Sequence, residues 1–123
     1  MVSNNGFQAG IWYRGDLAGI IGLHSMDSTN KSTSIGYWLG EGHQGKGIMT
    51  KVTKALVEYI FTELNLNRVE IRCAENNYKS RAIPERLGFT KEGTLRETEW
   101  LYDHYVNHIV YGMVASQWKG HKR

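Results

Sequence analysis

The sequence predicts a mixed α/β domain, and three observations predict it. Apolar residues alternate with a two-residue period near the start of the chain, they switch to a helical period at Ile48, and a short apolar run follows that helix. The first asks for a hairpin of antiparallel strands. The other two ask for a strand, a helix and a strand, which a right-handed crossover joins as a parallel pair.

Taken in order, Phe7, Ala9, Ile11 and Tyr13 alternate with Gln8, Gly10, Trp12 and Arg14, the pattern of a strand with one buried face. Arg14-Gly15-Asp16 makes a turn into a second strand, Leu17 to Met26. In this setting Arg-Gly-Asp is a hairpin turn and not an adhesion signal. A polar loop leads to a third strand, Ser34 to Leu39. From Ile48 the residues Ile48, Val52, Ala55, Leu56, Tyr59, Ile60 and Leu64 fall on one helical face. Val69 to Cys73 is the short buried strand, and Ser80 can cap a brief helix that Gly88 ends and Pro84 interrupts. Phe89 to Leu95 and His108 to Ala115 complete the strands, with a loose tail expected from Trp118 onward.

A chain of 123 residues is expected to form one domain around one core. It has no apolar stretch long enough to span a bilayer, and its first residues resemble no signal peptide, so a cytoplasmic location is expected. A lone cysteine, Cys73, agrees with a reducing compartment and reads as a core residue. Fifteen Lys and Arg against twelve Asp and Glu leave a formal charge of +3, spread along the chain. Such a balance suits a small anionic ligand better than a nucleic-acid surface.

Glycines crowd residues 40 to 47, GEGHQGKG, ahead of the Ile48 helix. Gly40, Gly45 and Lys46 fit the nucleotide P-loop, but Gly47 stands where that loop needs a hydroxyl for Mg²⁺. Gly-x-Gly-x-x-Gly fails as well, at Thr50. A helix N-terminus nevertheless offers unpaired N–H groups and positive partial charge, and glycines let a bulky anion come close. Two readings stand on the glycines alone: a diphosphate cradle without a metal, or a connection that binds nothing. His104 and His108 have helical spacing but lie in a strand-like setting, so no metal site is expected.

Three stretches then carry a family resemblance: GYWLGEGHQGKGIMTKVTKAL (36–56), NNYKSRAIPERLGFTKEG (76–93) and LRETEWLYDHYVNHIVYGM (95–113). In that order they resemble the GNAT superfamily of acyl-CoA-dependent N-acyltransferases, and within it the branch that acetylates ribosomal-protein N-termini. The resemblance implies a GNAT fold, a mostly antiparallel central sheet with one parallel, splayed strand pair that takes the pantetheine arm. It implies acetyl-CoA as cosubstrate and no metal, with Trp38, Leu39, Gln44, Gly45, Lys46, Gly47, Ile48, Asn77 and Ser80 at the cofactor. It further implies Glu99 as general base and Ser80 hydrogen bonding the departing sulfur, with Pro84 in the place of the superfamily's acidic tyrosine; by its spacing Glu97, two residues earlier, competes with Glu99 on the same face. The acceptor it implies is a primary amine, a ribosomal or other protein N-terminus or a small amine such as a polyamine or amino sugar. A strand and two helices that wall the acceptor site in the family are not expected ahead of Phe7. A shortened acetyltransferase domain over residues 1–123 is the reading, with a non-catalytic CoA-binding module as its rival and a homodimer expected from the open sheet edges.

Overall fold

The computed structural model describes residues 7–40 and 47–121, apart from the side chains of Leu39 and residues 119–121. Its elements are β1 (Phe7–Tyr13), β2 (Asp16–Asp27), β3 (Ser32–Leu39), α1 (Ile48–Thr62), β4 (Arg68–Ala74), α2 (Tyr78–Arg86), β5 (Thr90–Leu101), β6 (His104–Val114) and α3 (Ala115–His121). The strands form one sheet in the order β1-β2-β3-β4-β6-β5, antiparallel at every join except β3 with β4.

The first hairpin closes as its residues dictate. Tyr13 pairs with Asp16, and the two residues between them, Arg14 and Gly15, both take positive φ, 53° and 87°. That is the two-residue turn whose twist matches the flanking strands. In the middle of the sheet the two-residue period sorts the faces. Val69, Ile71 and Cys73 on β4 pair with Met113, Tyr111 and Ile109 on β6, and all six are buried in the main core. The intervening Arg68, Glu70 and Arg72 form an ion-paired group with Glu92 on the opposite face.

Helix α1 covers the apolar face with most of the expected residues: Ile60 is buried, and Ile48, Val52, Leu56 and Leu64 pack against the core. Met49, Thr53, Val57 and Ile60 are its buried residues, whereas Ala55 is exposed and Tyr59 is 45% exposed. The most deeply buried line of the helix thus lies to one side of the expected stripe, a rotation that helical period alone does not set. The sheet chooses, and it accepts Thr53 although its hydroxyl finds no hydrogen-bond partner among the described residues.

The end of the chain is also ordered differently. Trp118 is 1% exposed and packs its ring against Phe61 at 6.2 Å, so α3 belongs to the core and is not a loose tail. A single tryptophan brings enough apolar area to anchor a polar segment. Strands β5 and β6 run further than the expected Phe89–Leu95 and His108–Ala115. Nearly all of β5 is exposed, and two irregularities in its pairing with β6 erase the alternation that would mark it.

Candidate functional site

The parallel pair holds over four positions only, from Ser32 opposite Arg68 to Ile35 opposite Ile71. Beyond them Gly36 to Leu39 stay bonded to β2, and Arg72 to Ala74 to β6, so the two strands part. Backbone groups that face such a gap have no ladder partner and are available to an extended ligand.

Two hollows meet at this gap. One, of about 430 Å³, is lined by Tyr37 and Trp38 on β3, by Gly47, Met49 and Thr50 at the start of α1, and by Asn77, Ser80 and Arg86 of the α2 region. The other, of about 190 Å³, is lined by Tyr37, Cys73, Asn77, Ser80, Glu99 and His108 among others. Tyr37, Asn77 and Ser80 border both.

At the first hollow, Gly47 caps α1 with φ 73°, and a Cβ there would meet nothing within 4 Å among the described residues. The left-handed conformation suits glycine, and the open space lets a ligand reach the first turn of the helix. Lys79 and Arg86 add cationic side chains to the lining. Ile48 opens α1 with its side chain packed against the core, and Trp38 is exposed beside the cavity. Gln44, Gly45 and Lys46 lie outside the described residues, as does the side chain of Leu39, whose backbone closes β3.

The α2 region corrects one expectation and explains another. The cap of α2 is Asn77, whose Oδ1 accepts from the Ser80 amide at 3.2 Å; Ser80 itself lies inside the first turn. The Ser80 side chain is left to line both hollows. Pro84 sits inside α2, where it cannot donate to the carbonyl four residues back, which is that of Ser80. The Tyr37 hydroxyl supplies the missing donor at 2.8 Å. So the proline is tolerated because a neighbouring strand completes the helix.

Burial, and next to it Cys73, pushes Tyr37 far above the ordinary phenol range, which keeps its hydroxyl a donor. Burial likewise pushes the Cys73 thiol up, despite the Tyr37 hydroxyl 3.7 Å away. A protonated, buried thiol is a core group and a poor nucleophile. On its other side α2 is tied to β6: the Tyr111 hydroxyl donates to Glu85 at 2.6 Å and accepts from Arg81 at 3.1 Å, while Arg81 also donates to the Glu75 carbonyl at 2.9 Å. These bonds hold Asn77 and Ser80 at the gap.

Glu99 is brought to the second hollow by a bulge. Leu95 pairs with His108 and Glu99 with Val106, so β5 advances four residues while β6 advances two. Were the ladder regular, Glu99 would stand opposite His104. The extra length is taken up at Glu97, which has φ 50° and whose amide donates to Asn107 Oδ1 at 2.8 Å. Asn107 in turn donates to Glu75 at 3.2 Å, and Thr98 donates to the Leu95 carbonyl at 2.9 Å. The bulge also ends the alternation, so Glu97 does not share the face of Glu99; it lines a separate hollow with Arg96 and Asn107. Glu99 instead meets His108, with Nε2 2.9 Å from Oε1.

Tyr37, Asn107 and His108 were not predicted at the site. Pro84 was a usable signal for Tyr37, since a proline within a helix demands a second donor. Nothing local marks Asn107 or the position of His108, because both depend on the register of β5.

Comparison with known proteins places these features in a family. The family model described as acetyltransferase (GNAT) domain matches residues 2–90. YdaF of Bacillus subtilis, which is named as a putative ribosomal N-acetyltransferase, is 42% identical over 118 residues, 96% of this chain and 64% of that protein. A ribosomal-protein-serine acetyltransferase of Escherichia coli is 35% identical over 104 residues, 85% of this chain and 58% of that one. The solved structure of RimL, an alpha-N-protein acetyltransferase in complex with coenzyme A, superposes with a TM-score of 0.84 at 30% identity, covering 89% of this chain and 62% of RimL. The chain therefore spans about three fifths of the length of these relatives.

Proposed function

The chain belongs to the GNAT acetyltransferase family, and from that premise we propose that it transfers an acetyl group from acetyl-CoA to a primary amine, the N-terminal α-amine of a protein. One observation carries the reading: the gap between β3 and β4 joins a cavity at a helix N-terminus to a hollow lined by a carboxylate and a serine. An elongated substrate with anionic phosphates at one end and a reacting thioester at the other matches that layout. The cationic side chains of Lys79 and Arg86 and the bare backbone at Gly47 fit the phosphates. The unpaired edges of β3 and β4 fit the amides of the arm between.

Acetyl-CoA supplies an activated acyl group; the protein supplies placement and proton transfer. An α-amine has a reference pKa of about 8, so near neutrality a modest base is enough to free its lone pair. Glu99, 46% exposed at the mouth of the hollow, accepts that proton directly or through a water. The amine nitrogen bonds to the acetyl carbon, the carbon–sulfur bond breaks, the sulfur leaves as a thiolate that Ser80 hydrogen bonds, and the second proton that the nitrogen sheds as the amide forms passes to that sulfur. The products are an acetylated amine and the free thiol of CoA.

Among the described residues no helix is long and apolar enough to cross a membrane. Among the described residues β1 and β5 are the outer strands of the sheet, and a second copy across one of them is the partner this reading adds to the substrates.

The test is thermal unfolding with acetyl-CoA against ATP, followed by thiol release with peptide α-amines and with polyamines. Saturation at a hundred times the dissociation constant adds about 2.7 kcal/mol of stability. Stabilisation by acetyl-CoA alone, with thiol released by peptide amines, is the expected result. Preference for polyamines moves the acceptor to a small molecule, and stabilisation without thiol release reduces the protein to a CoA-binding module.

A further inference from the structure

We propose that His108 is a positioning residue for the transfer, holding the Glu99 carboxylate so that one oxygen remains turned to the acceptor amine. The inference rests on the reading of Glu99 as the base. An ionised carboxylate can only accept hydrogen bonds, so with Nε2 2.9 Å from Oε1 the imidazole must be the donor. That bond occupies Oε1 and leaves Oε2 to take the proton. The ring is 21% exposed against 46% for the carboxylate, so the more buried partner anchors the more exposed one.

The pairing exists only because of the bulge. Glu99 lies opposite Val106, which is buried, and His108 is the next residue of β6 on the same face. The bulge is held by Asn107, the residue directly before His108, so one short stretch of β6 both displaces β5 and receives its carboxylate. Around the pair, Arg72 and Cys73 of β4 and Tyr37 of β3 line the same hollow. Arg72 donates to Glu70 at 2.9 Å and Tyr37 to the Ser80 carbonyl, and among the described residues His108 is the group that hydrogen bonds Glu99.

Steady-state kinetics of His108→Ala, His108→Gln and Glu99→Gln, alone and combined, test the proposal. His108→Ala is expected to lower kcat by about 10- to 100-fold, a part of what a general base contributes, with KM for acetyl-CoA unchanged. His108→Gln, whose amide can donate the same bond, should recover most of the rate. In the Glu99→Gln background, His108→Ala should cost nothing further. An unchanged kcat in His108→Ala, a Gln variant as slow as Ala, or losses that multiply would each overturn the proposal. Should the wild-type chain bind acetyl-CoA yet release no thiol with any amine, the transferase reading falls by itself. Nitrogen-15 NMR of the imidazole then decides on the pair: an Nε2–H signal that moves on Glu99→Ala supports the held contact, and one that stays put overturns it.

Discussion

The gap between β3 and β4 and the bulge in β5 are two departures from a regular ladder, and they are made in opposite ways. At the gap, pairing stops after Ile35 and Ile71 and backbone groups are released. At the bulge, pairing resumes after extra residues, and a side chain is moved along the neighbouring strand. The first exposes backbone and suits binding; the second re-aims a carboxylate and suits chemistry. The difference teaches that the two halves of the proposed reaction should fail separately.

The largest expected effect breaks the chemical half alone. Glu99→Gln should lower kcat by about 1000-fold while acetyl-CoA affinity stays within a factor of about two, measured by thiol release and calorimetry. Gly47→Val breaks the binding half instead. At φ 73° a valine carries about 1–3 kcal/mol of strain and its side chain enters the open approach to α1, so acetyl-CoA affinity should fall by about 100-fold. If both variants lose affinity equally, the separation of the two regions is wrong.

Smaller changes sharpen the contrast. Asn107→Ala removes the acceptor of the Glu97 amide and should lower kcat by about tenfold, through the misplacement of Glu99, with no change in acetyl-CoA binding. Tyr37→Phe leaves the Ser80 carbonyl without a donor and should cost about 1 kcal/mol in chemical denaturation. Adding Pro84→Ala restores the helical N–H to that carbonyl and should return most of the loss, a rescue that no other account of Tyr37 predicts.

The smallest effect concerns the closed end of the β3–β4 pair. Hydrogen bonds from Arg68 hold the Glu92 carboxyl below its ordinary value of 4.5. A depressed folded value means that this stabilisation is complete above the ordinary value and is lost as pH falls through the folded one. Glu92→Gln should therefore flatten the acid limb of the unfolding midpoint, slightly, because the ion pair is partly exposed.

Much of this was legible in the residues. Arg14-Gly15 announces its turn because both positions need positive φ, and the glycines before Ile48 announce a helix start, which α1 makes at that residue. The family resemblance brought Glu99, Ser80, Asn77 and Gly47 forward, and the structure gathers all four around the gap. Ser80 as the helix cap and Glu97 on the same face as Glu99 did not survive. A capping role depends on where the helix starts, and a shared face depends on an unbroken alternation.

The residues alone set the order of the elements from β1 to β6, the parallel crossover and the chemistry on offer, because turns, periods and caps depend on neighbours along the chain. Packing between distant segments decided how far round α1 the most buried line lies, that Trp118 closes the core, that Tyr37 completes the helix Pro84 interrupts, and that Glu99 meets His108. Each of these is a contact between distant segments. Helical period is the same for two adjacent stripes, and a strand's register is the same for every local preference, so the choice among them falls to whatever packs on the other side.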